Sequence, residues 1–332
     1  ASGLYAQDCS IPFTQPLFPY RVEANIPYDT VVRFDGATEV LHMDIHKPVG
    51  DGQLQRPLIM LVHGGGFIGG HRADMAEIGN ALASFGYVAA TISYRLNFHP
   101  PQLLPNPFPY DAAEVSRAAY RAQLDTRSAL RFLRERGTAD SSLVDRVMLL
   151  GGSAGAINVL HATFGNNEAL RPAGTGEIGP VTLLSGTYPR PDLGPMMGVS
   201  TPEDIASIIA IVPLLGAIAD TSMIDDPSGP AVYMYHQNGD PVVGCGHQHG
   251  LWGMPFDIGA SYPLLFGSCM IDQRLQHLGY GPDRLHFTEV NGNAHEVVNE
   301  AAVVLEVANF LREQLCGIEA SIGGKAPVGP AP

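Results

Sequence analysis

The sequence predicts an α/β fold built on a mainly parallel sheet, and three observations lead to that expectation. Strand-like and helix-like segments alternate along most of the 332 residues. Two apolar runs end in glycine clusters: Val147-Met148-Leu149-Leu150 before Gly151-Gly152-Ser153-Ala154-Gly155, and Leu58 to Val62 before His63-Gly64-Gly65-Gly66. Such clusters place tight turns where strands give way to helices. Hydrophobic residues make up 45% of the chain and charged residues 16%, which is enough to bury a sizeable core.

The elements follow in order after an N-terminal segment, residues 1–25. Thr30 to Phe34 and Val40 to His46 flank the turn Asp35-Gly36 and read as a hairpin. Leu58 to Val62 reads as a buried strand. Ala73 to Phe85 carries Met75, Ile78, Leu82 and Phe85 at helical spacing and stops at Gly86. Tyr87 to Tyr94 is the next strand. Asp111 to Arg136 is a long helix, with Val115, Ala119, Leu124, Ala129 and Phe132 on its apolar side and Gly137 at its end. Strand Val147 to Leu150, helix Ala154 to Phe164 and strands Val181 to Leu184 and Val232 to Tyr235 come next. Helix Cys269 to Leu278, strand Leu285 to Val290 and helix Glu296 to Leu315 close the domain, residues 26–316.

Three segments break the alternation. Leu96 to Pro109 is rich in Pro and apolar residues. Residues 187–230 read as a small cap insertion. It carries one apolar helix through Ile205 to Ala219, opened by Thr201-Pro202-Glu203 as cap, first turn and early acid. Residues 244–268 read as a loop insertion holding Trp252, Phe256, His247 and His249. All three follow strands, on the side where open α/β sheets bind ligands. The tail, residues 317–332, is Gly/Pro/Ala-rich and is expected to be disordered.

A net charge of −14 argues against nucleic acid and anionic membranes as partners, because phosphates would be repelled. The longest apolar stretch, Ile205 to Ala219, is too short to cross a bilayer and contains Pro213. The opening Ala-Ser-Gly-Leu-Tyr-Ala-Gln has small residues like the end of a signal peptide, so residues 1–7 are expected to be an export remnant. Of the four cysteines, Cys245 and Cys269 flank one loop and are the favoured pair. Cys9 with Cys316 would tie the two ends together. In a reducing compartment all four would be free thiols.

Gly151 to Gly155 is a G-x-S-x-G pattern between a strand and a helix, where it marks a nucleophile elbow. Ser153 is the expected nucleophile. His63-Gly64-Gly65-Gly66-Phe67 supplies backbone N–H groups of Gly65 and Gly66 which, with that of Ala154, would stabilise an oxyanion. Gly64-x-Gly66-x-x-Gly69 also fits a dinucleotide fingerprint with Arg95 after the next strand, a reading that leaves Ser153 unexplained. The expected base is His295, after the last strand; His286 lies inside that strand and suits the role less well. The expected acid is Asp240, in the turn after strand Val232 to Tyr235, with Asp225, Asp226 and Asp272 as plainer alternatives. His247-x-His249, with His236 or His71, has zinc-ligand spacing. Packing on aromatics is the simpler reading, so no metal is assigned.

These residues resemble the α/β-hydrolase superfamily. The His-Gly-Gly-Gly-Phe motif and the Gly-Gly-Ser-Ala-Gly elbow resemble the hormone-sensitive-lipase-like and type-B carboxylesterase branches. The stretch Asp125 to Ala156 is similar to secreted bacterial esterases of this group. Gly152 stands where those branches usually carry an acid. The resemblance implies a mostly parallel eight-stranded sheet with a small cap, and a carboxylic-ester hydrolase acting without a cofactor. It also implies an exported bacterial protein, secreted or periplasmic. Phe67, Trp252 and Phe256 are expected to line the substrate site, and short to medium or aromatic uncharged acyl esters are the expected substrates. Lipase or polyester and plant-wall ester hydrolysis are the alternatives, and a non-catalytic binding protein on the same fold is the alternative of another class.

Overall fold

The computed structural model describes residues 9–99, 111–183 and 185–317. The expected remnant 1–7, the loop 96–109 from residue 100 onward, and the tail from 318 lie outside the described residues, as does Leu184.

Eight strands form one sheet: β1 (Tyr20–Val32), β2 (Thr38–Pro48), β3 (Arg56–Val62), β4 (Val88–Ile92), β5 (Ser142–Gly152), β6 (Ile208–Leu214), β7 (Ala231–Gln237) and β8 (Leu285–Val290). Their spatial order is β1-β2-β4-β3-β5-β6-β7-β8. β2 runs antiparallel to β1 and β4, and every other neighbouring pair is parallel. The β1–β2 hairpin forms around the expected Asp35-Gly36 turn, with Val32 opposite Thr38. β1 starts at Tyr20, inside the segment read as preceding the domain.

Side-chain alternation on the strands builds two cores. On one face Leu58, Met60 and Val62 pack with helices α2 (Ala112–Glu135), α3 (Ala154–Phe164) and α4 (Ser268–His277). On the other, Ile59, Leu61 and Met148 pack with α1 (Ala76–Ser84) and α5 (Glu300–Cys316). Leu58 to Val62 are all fully buried. Each such side chain contributes roughly 1.5–3 kcal/mol on leaving water. Parallel strands buried on both faces read as continuous apolar runs.

That property explains one correction. Ile205 to Ala219 is not an apolar cap helix. The helix opened by Thr201 covers only Pro202–Ala206, with the capping box Thr201/Asp204, and the apolar run then becomes β6 in the middle of the sheet. A short unbroken apolar run has no period to separate strand from buried helix. Pro213 stands opposite Gly151 near the strand end, a residue type that rarely occupies a central strand. The insertion between α3 and β6 therefore spans 165–207, not 187–230. Val181 is likewise not in the main sheet: Ile178–Leu183 pairs antiparallel with Gly186–Arg190 as a separate two-stranded ribbon.

Both expected disulfides form, Cys245–Cys269 with Cα atoms 5.1 Å apart and Cys9–Cys316 with Cα atoms 5.8 Å apart. The second ties the N-terminal segment, whose Phe13 is fully buried, to the end of α5. Among the described residues, no helix is long and apolar enough to cross a membrane.

Candidate active site

Ser153 stands between β5 and α3 with φ 56° and ψ −122°, a conformation that costs an L-residue energy and persists only where packing enforces it. The enforcement is steric. A Cβ on Gly155 would lie 2.2 Å from the Val62 carbonyl oxygen, so only glycine lets α3 approach β3 this closely. The Ser153 N–H donates to the Leu214 carbonyl on β6 (2.9 Å).

His295 lies in the connection between β8 and α5, and β7 holds it from below. Gln237, buried at the end of β7, donates from Nε2 to the Glu296 carbonyl (3.0 Å) and accepts from the Ala294 N–H (3.0 Å). His295 Nε2 is 2.8 Å from Ser153 Oγ, and its Nδ1 is 2.6 Å from Asp240 Oδ2. The structure thus brings together all three residues placed by chain order.

Asp240 has no solvent exposure. Its Oδ1 accepts from the N–H groups of Val242 (2.8 Å) and Val243 (3.1 Å). Burial pushes its carboxyl up, but hydrogen bonds from His236 and His295 outweigh it and hold the pKa at about 2. Asp240 is a carboxylate throughout the neutral range.

His236 is the partner that sequence reasoning missed. In the sequence it offers itself only as a spare donor beside His247-x-His249. It is fully buried, with Nε2 2.8 Å from the Val243 carbonyl and 3.4 Å from Asp240 Oδ2, and Nδ1 2.8 Å from Ser268 Oγ. Its i, i+4 spacing to Asp240 at the end of a buried strand was the available signal. Ser268 precedes Cys269, whose N–H donates to the Cys245 carbonyl (2.9 Å). The disulfide, Ser268, His236 and Asp240 form one connected support.

The glycine loop after β3 faces the serine. A Cβ on Gly64 would be 3.3 Å from Ser153 Cβ. Gly65, at φ +110°, has its carbonyl taken by the N–H groups of Ile68 (3.1 Å) and Gly69 (3.0 Å). His63 stacks on Tyr94, whose hydroxyl donates to the His63 carbonyl (2.9 Å). Ala154 is the first residue of α3, so its N–H has no intrahelical acceptor. Arg95, the dinucleotide alternative, is locked on Asp125 at 2.6 Å.

Phe67 is buried and lines a cavity of about 70 Å³ with Ile157, one helical turn from Ser153, and with Ala219 and Leu265. Trp252 is 42% exposed and donates from Nε1 to the Asp240 carbonyl (2.7 Å), which puts it beside the acid. The Phe256 side chain lies outside what the structure describes. His247 stacks on Phe266, and His249 Nδ1 is 2.6 Å from the Tyr262 carbonyl. No group of three or more metal-ligating side chains occurs among the described residues.

Sheet order and elbow match the α/β-hydrolase fold, and comparisons with known proteins agree. Residues 43–175 match the family model described as BD-FAE, an α/β-hydrolase-like esterase family. No curated protein matches the sequence. Many solved structures share the fold, among them the following three. A bifunctional GH43-CE protein of Bacteroides eggerthii matches at TM-score 0.54 and 15% identity over 89% of this chain. The chain spans only 35% of that protein's length. A truncated carbohydrate esterase from gut microbiota matches at TM-score 0.52 and 14% identity, covering 91% of this chain and 99% of that one. Esterase 2 of Thermogutta terrifontis, phosphoramylated by tabun, matches at TM-score 0.52 and 16% identity, covering 90% and 96%. The chain thus has the α/β-hydrolase fold, and its residues 43–175 resemble an esterase family.

Proposed function

We propose that the protein is a carboxylic-ester hydrolase that works through an acyl-enzyme on Ser153. One observation carries this reading: the hydrogen-bonded line Asp240–His295–Ser153, at 2.6 and 2.8 Å, ends on a serine held in a strained elbow. Ser153 Oγ attacks the ester carbonyl carbon while His295 Nε2 takes its proton. Asp240 fixes the imidazole tautomer and stabilises the imidazolium. The carbonyl oxygen becomes negative, and the N–H groups of Gly65, Gly66 and Ala154 stabilise it. Collapse expels the alcohol, which leaves with the proton from His295. Water, deprotonated by His295, then attacks the acyl carbon and frees Ser153 and the acid.

The small cavity behind Phe67 and Ile157 favours a short acyl group, and each CH₂ it buries contributes about 0.8 kcal/mol. Trp252 offers an exposed aromatic face beside the acid. These features support short to medium or aromatic uncharged acyl esters, soluble or on a polymer, as substrates. Two disulfides fit an oxidising, extracellular or periplasmic setting. Comparing kcat/KM for p-nitrophenyl acetate, butyrate, octanoate and laurate tests the preference. A maximum at acetate or butyrate is expected. A maximum at laurate, with activation at an oil–water interface, would instead make the protein a lipase.

A further inference from the structure

A second cavity opens at the same end of the sheet, away from Ser153. Its volume is about 200 Å³, space for roughly six water molecules. Its walls come from the end of β1, the segment after β4, the first half of α2, and residues 189–193 of the insertion. Five arginines converge on it: Arg33, Arg95, Arg117, Arg121 and Arg190. The concentration is notable in a chain with 19 basic and 33 acidic residues.

Three of the five are neutralised. Arg33 pairs with Asp35, Arg95 with Asp125, and Arg190 with Asp111 and Glu114. The other two are not. Arg117 donates only to carbonyls, those of Gly174 (3.0 Å), Gly176 (2.9 Å) and Pro191 (2.5 Å). Arg121 donates to the Asn97 carbonyl at 3.3 Å. Among the described residues, no carboxylate lies within ion-pair distance of either guanidinium. Both are nearly fully buried, Arg117 at 2% and Arg121 at 4% exposure. A buried charge without a counter-ion is costly, and the chain retains two side by side, one turn apart on α2. Burial, with Arg95 and Arg117 nearby, lowers the Arg121 pKa to about 10. Glu114, Asp125 and Asp192 counter the positive charge in part from a distance, but none of them forms an ion pair with either guanidinium.

We propose that this cavity binds a small dianionic oxyanion, carboxylate or phosphate, between Arg117 and Arg121. Planar guanidinium groups present paired N–H donors that match either anion. The exposed rim at Val32 and Asp192 gives it an entrance. Arg121 is also linked to the glycine loop, because the Asn97 N–H donates to the Phe67 carbonyl (2.7 Å). The site is separate from Ser153, and its test needs no ester turnover.

The test titrates the full chain with malonate and, in a parallel arm, with inorganic phosphate, following Tm and heat of binding. Each arm is compared with sodium chloride at matched ionic strength. A saturable rise in Tm with at least one of the two anions, absent with chloride, is expected, and the tighter arm identifies the oxyanion. Arg121→Gln is expected to weaken that binding about tenfold or more. Arg33→Gln, at the exposed rim, is expected to weaken it less and serves if Arg121→Gln does not fold. Absence of binding in both arms, or undiminished affinity in the folded variants, overturns the proposal.

Discussion

Ser153 and Asp240 sit at the same end of one sheet, two strands apart, but different forces hold the chain around them. At Ser153 backbone meets backbone. A methyl group added at Gly151 or Gly155 would overlap the carbonyl of Gly155 or Val62, respectively, and one at Gly64 would press on that of Gly152. At Asp240 side chains carry the load: His236, His295 and Trp252, two backbone amides and, one step out, Ser268 and the Cys245–Cys269 bridge. Packed backbone tolerates almost no change, because protein interiors do not deform continuously. A network of separate hydrogen bonds loses its members one at a time. The elbow should therefore fail all at once and the acid loop by degrees.

Substitutions can break or sharpen that contrast. Gly155→Ala is expected to have the largest effect: loss of the folded chain, and with it all ester turnover, read by circular dichroism and soluble yield. A folded, active Gly155→Ala would show that the elbow is not sterically fixed. Ser153→Ala should keep the fold, with Tm equal to or above the parent because its strained backbone loses no packing, while kcat falls by roughly 10⁴-fold or more. Asp240→Asn should lower kcat by about 10³- to 10⁴-fold through the wrong imidazole tautomer, with KM little changed.

His236→Gln should cost less, about tenfold in kcat at constant KM, because Asp240 keeps its amide donors and His295. It also has a pH signature. The Asp240 pKa is depressed to about 2, so its stabilisation is complete above the ordinary carboxylate range. It is lost as pH falls from about 4 to about 2, and is worth roughly 2 kcal/mol. Without His236 the carboxyl pKa should rise and that loss should begin at higher pH. Urea unfolding between pH 2 and 5 reads the shift. An unchanged acid limb would mean that His236 does not act on Asp240. Replacing Cys245 and Cys269 together by serine should change turnover least, by a few-fold, while reducing stability by about 3 kcal/mol.

The same contrast decides what could be read from the residues. The elbow announces itself because steric demands appear as glycines in two short clusters, Gly151 to Gly155 around the serine and the run Gly64 to Gly66 after β3. Chain order and position after strands point to Asp240 and His295, which the fold brings within hydrogen-bond distance of each other. The support of Asp240 was not legible as a unit, because Ser268 lies 32 residues from His236 and nothing local marks the pair. β6 was lost for a different reason, since its burial on both faces erases the alternation that identifies a strand. The charged stripe Glu114, Arg117, Arg121 and Asp125 on α2 was hidden as well. Burial of arginines is decided by carbonyls contributed from 174 to 191, in an insertion whose fold the sequence leaves open.

The most direct test of the central claim, that Ser153 is the nucleophile of this site, is a fluorophosphonate labelling experiment read by peptide mass spectrometry. The account predicts one adduct per chain, on the peptide containing Ser153, with labelling abolished in Ser153→Ala and strongly slowed in Asp240→Asn. An unlabelled Ser153 peptide in folded protein, or undiminished labelling of Ser153→Ala, would contradict it.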